Sequence, residues 1–213
     1  MSYINLRYGK QEDVDAMMYI KHQLPLKTAD GNPVKGGFLL GTTREQYLSF
    51  ILNDHCLVAE DHGNVVGFGI MLHNASLRNS DIWQRRHQAA WEVDINDFED
   101  LPICYFEQLA FLPGYNRAVL KLAYQLVMDA FRQGHTHLFA TTVHKPVLNI
   151  AAVPFIKKAD GGLVGRIDEY YPEVGNILSD IYLIDRIKFY DAVPKLAIYP
   201  WLIKSLAGDS KLV

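Results

Sequence analysis

Glu107 stands alone in an apolar run. The stretch Ile103 to Leu112 reads ICYFEQLAFL and stops at Pro113-Gly114. That length and punctuation predict a buried strand closed by a turn. A carboxylate in such a strand is costly unless it is paired, faces a cleft or carries chemistry. In an apolar cleft, burial raises its pKa toward the range of a useful general base. The plainer alternative is a hydrogen-bond acceptor on the sheet. Tyr105 lies two residues before Glu107, and Leu109 two after. By the strand period Tyr105 shares the carboxylate's face, and Cys104 faces the other way. His144, at the end of the next expected strand, is a second candidate for proton transfer; it also suits a simple polar strand end. Thr141, Thr142 and Tyr170 are weaker candidates. Cys56 and Cys104 make no CxxC or metal spacing, so free thiols are expected, with neither a disulfide nor a metal site.

A strand and a helix must position these groups. Asn116 to Arg132 repeats apolar residues at helical spacing (Val119, Leu122, Ala123, Leu126, Val127, Ala130, Phe131), and Gly134 is a normal stop. A buried strand, a tight turn and a helix leave backbone N–H groups unpaired at the helix start. Such a turn can hold an anion such as a phosphate.

Around this pair the chain reads as strand Tyr3 to Tyr8, helix Glu12 to Leu24, a mobile loop Lys27 to Gly41, and helix Arg44 to Asn53 capped by Thr42 or Thr43. Strands His55 to Glu60 and Val65 to Leu72 form a hairpin. Asn74 to Pro102 interrupts, with a helix expected from Ser80 to about Trp91. The acidic run Glu92 to Asp100 follows and reads as a solvated loop. Strand His137 to Val143 comes next. Lys145 to Lys158 looks helical, with Pro146 in its first turn and Pro154 as a kink or an end. Leu163 to Tyr171 and Asp180 to Asp185 are the last strands. The expectation is one α+β domain, residues 1–186, built on a mixed, mostly antiparallel sheet flanked by helices. Residues 187–213 form an aromatic tail that packs on the domain or on a second subunit, since so many exposed aromatics would be a liability.

The net charge of −3 gives no reason to expect nucleic acid or an anionic membrane as partner. No signal-peptide layout and no membrane-length apolar run is present, so a cytoplasmic protein is expected.

The order of elements over about residues 3–186 resembles the GNAT superfamily of acyl-CoA-dependent N-acyltransferases. Four patches carry the resemblance. Leu109, Ala110, Phe111 and Pro113 look like the L-x-V-x-P that ends the family's central strand. Asn116 to Gly134 looks like the long helix after the pyrophosphate loop. Asn149 with Ala152 looks like N-x-x-A, and Gly162 to Tyr171 with Asp180 to Asp185 looks like the terminal hairpin. The resemblance implies acetyl-CoA as co-substrate, held by the backbone at Leu109, Ala110 and Phe111, with Asn149 also at the site. It places the pyrophosphate at Asn116, Arg117, Ala118, Val119, Leu120 and Lys121. There the family normally keeps Arg/Gln-x-x-Gly-x-Gly/Ala; neither glycine is present, and Arg117 and Lys121 are the charges at hand. Glu107 falls where several members carry a base. The family's usual acid, a Tyr seven residues after the Asn, corresponds to Ile156 and is missing.

The resemblance thus implies acetyl transfer to an amine by direct attack, with a small-molecule or peptide acceptor; the aromatic tail makes a homodimer one arrangement. Two alternatives stay open: a GNAT-fold enzyme using a long-chain donor on acyl carrier protein or CoA, and a non-catalytic sensor or binding module.

Overall fold

The computed structural model describes residues 4–24, 39, 41–172 and 174–207. Eight strands form one sheet: β1 (Ile4–Tyr8), β2 (His55–Asp61), β3 (Asn64–Leu72), β4 (Ala90–Trp91), β5 (Ile103–Phe111), β6 (His137–Lys145), β7 (Gly162–Tyr171) and β8 (Gly175–Asp185). Their spatial order is β1-β2-β3-β5-β6-β8-β7-β4. Among the described residues each neighbouring pair is antiparallel except β5–β6, which is parallel. The mixed sheet follows from the connections. Short turns join β2 to β3 and β7 to β8, whereas β5 returns through the long helix α5 (Asn116–Arg132) to lie parallel with β6.

Alternation in the strands gives the sheet two apolar faces, and each is covered. On one face α5 lays Leu122, Leu126 and Val127 against Leu57, Met71, Cys104 and Leu138. Those three α5 side chains are fully buried, and burying each stabilises the fold by roughly 1.5–3 kcal/mol. The helices α7 (Arg186–Ala192) and α8 (Tyr199–Ala207) join this face. Phe189 stacks on Tyr124 at 6.1 Å between centroids, and Tyr199 meets Tyr124 edge-on at 6.5 Å. On the other face α1 (Val14–Gln23) and α2 (Arg44–Asn53) bring Met17, Ile20 and Tyr47 against Phe68, Ile70 and Tyr105. Thr43 caps α2 through a capping box with Gln46. No helix among the described residues is long and apolar enough to cross a membrane.

Three expectations change. The helix expected from Ser80 to Trp91 is three pieces: α3 (Asn74–Asn79), α4 (Asp81–Gln84) and a 3-10 turn at Arg86–Gln88. Ala90 and Trp91 then leave as β4 and pair with Arg166 and Gly165. Gly165 permits this, because a Cβ there would lie 2.9 Å from the Ala90 carbonyl oxygen and 3.0 Å from the Trp91 ring. Second, Pro154 opens a helix rather than ending one. β6 runs on to Lys145, and the helix α6 is only Val153–Lys158, with Pro154 in the first turn, where its missing N–H costs nothing. Third, β8 starts at Gly175, so Ile177 and Ser179 are strand residues and the hairpin turn is tight. The loop expected at 27–41 lies, apart from Leu39 and Gly41, outside the described residues.

Candidate active site

Glu107 is an extra residue in its strand. Ile70 of β3 stands opposite Gln108 and Met71 opposite Phe106, so Glu107 has no partner across the ladder and forms a β-bulge. The bulge switches the faces of β5. Phe106 and Leu109, three residues apart, both pack toward α5, whereas Tyr105 and Ala110 face α1 and α2. The two-residue period that put Tyr105, Glu107 and Leu109 on one face is therefore broken at Glu107, and Leu109 lies on the opposite face from Tyr105. Cys104 does face away from Tyr105.

The same residue marks a fork. β5 and β6 are bonded from Ile103–His137 to Phe106–Ala140 and no further. Beyond that point Gln108 to Phe111 remain paired only with β3, and Thr141 to Val143 and Lys145 only with β8. Two backbone edges thus diverge and face each other across a gap, each with polar groups that a peptide-like arm can satisfy.

Into this gap opens a cleft of about 670 Å3. Its floor is Tyr105, Glu107 and Gln108; α2 and Asp54 form one wall, α3 and α4 a second, and Thr141, Thr142, Val143, Asn149, Glu169, Tyr171 and Ser179 a third. Gln108 ties the floor to α2: its Oε1 accepts from the Tyr47 hydroxyl at 2.8 Å, and its Nε2 donates to Thr42 Oγ1 at 2.6 Å. Tyr105 and Thr141 hydroxyls bond at 2.6 Å. Asn149 is fixed by donating its N–H to Val143 at 2.8 Å and accepting the Ala151 N–H on Oδ1 at 3.0 Å. Beside Tyr105 and Thr141 lies a small apolar recess of about 30 Å3, walled by Trp83, Phe139 and Ile181.

Glu107, half-buried, has no hydrogen-bond partner among the described residues. Burial, then Glu169 and Asp54, push its carboxyl up to about 7. Glu169 differs: Ser179 donates to its Oε2 at 2.6 Å and Tyr171 to its Oε1 at 3.2 Å. Burial, with Glu107 and Glu169 next, holds the Tyr105 phenol well above its usual value. Burial likewise raises both thiols, Cys56 to about 12, so neither is a thiolate near neutral pH. No group of His, Cys, Asp or Glu among the described residues is arranged to hold a metal ion.

The structure brings Glu107, Tyr105, Thr141, Thr142 and Asn149 to one cleft. It does not bring His144, whose Nδ1 lies 3.1 Å from Asp180 Oδ2 in a group with Arg166, outside the cleft lining. Tyr170 is exposed and does not line the cleft. Ile156, in the place of the expected acid, is buried in the α5-side core. The acidic run Glu92 to Asp100 does not line the cleft; Glu99 pairs with Arg86 at 2.6 Å. Asp54, Gln108, Glu169, Tyr171 and Ser179 were not found from the sequence. A signal existed for two of them. Glu169 and Tyr171 share a strand face by period, but only the early start of β8, which puts Ser179 opposite Ile167, shows that this face looks into the cleft.

The residues present fit a CoA-type group. The fork supplies unpaired strand edges. At the start of α5 the N–H groups of Asn116, Arg117 and Ala118 have no acceptor among the described residues, and the first helical bond is Val119 N–H to Tyr115. These N–H groups are open because the helix begins there, although neither family glycine is present. Ala118 is buried and Val119 packs on the α5-side core, so both side chains turn inward, while Asn116, Arg117 and Leu120 are exposed. Lys121 is half-buried on the next turn.

A scan against protein-family models and a search of curated proteins by sequence each return no match. Solved structures do match. An N-acetyltransferase from Staphylococcus aureus superposes with a TM-score of 0.57 at 17% identity, covering 86% of this chain and 99% of that one. A structure from Salmonella typhimurium solved with its cofactor acetyl-CoA gives 0.55 at 14% identity, covering 86% and 94%. An acetyltransferase of the GNAT family from Streptococcus pneumoniae gives 0.53 at 17% identity, covering 85% and 98%. At these identities the likeness is one of architecture, and with the forked sheet, the bulge and the long helix behind the fork it establishes that this chain has the GNAT fold.

Proposed function

We propose that the chain is an acyl-CoA-dependent N-acyltransferase that moves an acetyl group from acetyl-CoA to an amine by direct attack. One observation carries this reading: the unpartnered Glu107 carboxyl sits on a bulge at the point where β5 and β6 part. Acetyl-CoA, when bound, supplies an acetyl thioester. The backbone edge of Leu109, Ala110 and Phe111 and the N–H groups of Asn116, Arg117 and Ala118 are the groups that hold it, with Arg117 and Lys121 as nearby charges and Asn149 across the fork. Glu107 takes the proton from the acceptor ammonium, directly or through one water, which frees the amine lone pair for attack; a carboxyl near 7 is half ionised at neutral pH and matched to that task. No buried thiol competes as a nucleophile, since burial keeps both neutral. Tyr105 and Tyr171 line the cleft with hydroxyls, and a thiolate leaving group needs no obligatory acid.

The test is CoA release from acetyl-CoA over a panel of primary amines, as a function of pH. The rate constant kcat/KM should rise through about pH 7, and Glu107→Gln should lower kcat about 100-fold or more and abolish the rise. Undiminished turnover in the variant would remove Glu107 as the base.

A further inference from the structure

The two glutamates of the cleft are built differently. Glu169 is locked: Oε2 accepts from Ser179, which is fully buried, and Oε1 from Tyr171. Hydroxyl donors on both oxygens fix its position. Its nearest cation is incompletely engaged with it. Arg85 Nη2 stands 4.0 Å from Glu169 Oε1, at the limit of an ion pair, while Arg85 Nε is bonded to Asp81 at 2.7 Å and Nη1 to the Asp168 carbonyl at 3.3 Å. Asp54 is a second fixed anion, accepting the His73 N–H at 2.9 Å. Glu107, by contrast, accepts nothing from the described residues. Of the charged side chains lining the cleft, Asp54, Asp81, Glu107 and Glu169 are acidic and Arg85 alone among the described residues is basic.

We propose that Glu169 is the specificity residue of the acceptor site, its fixed carboxylate holding a second cationic group, so that the acceptor is a small diamine or polyamine. The proposal rests on the acyltransfer reading for the role of Glu107, and adds what the rest of the cleft selects. The amine that reacts lies at Glu107, whose carboxyl is free to take its proton. The amine that does not react lies at Glu169, whose carboxylate is held in place by Ser179 and Tyr171. An acceptor bearing its own carboxylate, such as a free amino acid, meets like charge on three sides and is disfavoured. A monoamine leaves Glu169 with its two hydroxyl donors and the Arg85 guanidinium at 4.0 Å, and adds no second charge contact there.

The test is calorimetric binding of diaminobutane and of butylamine to the full chain near neutral pH, with acetyl-CoA titrated separately. Diaminobutane should bind at least about tenfold more tightly than butylamine, the worth of one charge-assisted contact. Glu169→Gln should erase that preference, Glu169→Asp should restore part of it, and the unfolding midpoint of each variant checks that it is folded. The comparison of the two amines on the wild-type chain stands even if a variant does not fold. Equal affinity for the two amines, or a preference that survives in folded Glu169→Gln, overturns the proposal. The separate titration distinguishes the failures. Acetyl-CoA binding without diamine preference removes the acceptor assignment alone, whereas diamine preference without acetyl-CoA binding supports the dication site and removes the acyltransfer reading.

Discussion

A glutamate whose neighbours leave it without a donor makes the folded state prefer the protonated form. Glu107 moves from an ordinary 4.5 to about 7, chiefly by burial. A raised carboxyl pKa means that the native state holds its proton more tightly than the unfolded chain does. The stabilisation is therefore full below about pH 4.5 and is lost as pH rises through about 7. The loss is at most on the order of 3 kcal/mol. Glu107→Gln should remove this fall, so that the variant gains on wild type as pH rises from 4.5 to above 7, read from denaturant unfolding at several pH values. Parallel curves for the two proteins would show that the carboxyl is not strained in the fold. The oddity of Glu107 was legible in the sequence, since an acid between Phe106 and Leu109 in an apolar run has few explanations. Its bulge was not. An insertion of one residue leaves the pattern of apolar types nearly unchanged, and only the register against Ile70 and Met71 exposes it. His144 shows the opposite case. A histidine at a strand end suits catalysis or a plain polar strand end, and its partner, the buried Asp180, lies on a strand whose start the sequence did not locate.

Long, strongly periodic elements were legible. α2 begins and ends where the Thr43 cap and the apolar repeat place it, and α5 fills Asn116–Arg132 because its repeat is unbroken from Ala118 to Phe131. Short elements set by distant partners were not. Ala90 and Trp91 become a strand only because Gly165, over seventy residues later, offers a bare backbone to lie against. Trp91 then reaches its indole N–H to the Arg86 carbonyl at 2.7 Å and packs edge-on to Phe139 at 6.2 Å. That chain of contacts closes the apolar recess beside Tyr105. Gly165→Val should force β4 off the sheet edge and cost about 1–3 kcal/mol, seen as a lower denaturant midpoint with a looser Trp91 environment in fluorescence. An unchanged midpoint and spectrum would mean that β4 is not held by this approach. The prolines divide in the same way: the helix-start role given to Pro146 belongs to Pro154, because the residues before it are drawn into β6.

Taken whole, the molecule is a sheet with a single parallel junction among its described pairs, and that junction is where it opens. Helix α5 makes the parallel return possible, fills one face, and begins just after β5 ends. The packing that holds α5 against β2, β3 and β5 is thus what keeps the N–H groups of Asn116, Arg117 and Ala118 aimed at one place. The α7 and α8 helices brace its far side through Phe189 and Tyr199. The absence of the two loop glycines makes the helix start the sharpest point to test, and there Val119 packs on the α5-side core. The measurement that tests the account most directly is a calorimetric titration of the folded wild-type chain with acetyl-CoA. The account predicts saturable one-to-one binding, weakened by raised salt and by Arg117→Ala, with an added stabilisation of about 2.7 kcal/mol at a hundredfold excess over Kd. No heat and no stabilisation at millimolar acetyl-CoA, in a chain shown to be folded, would contradict it.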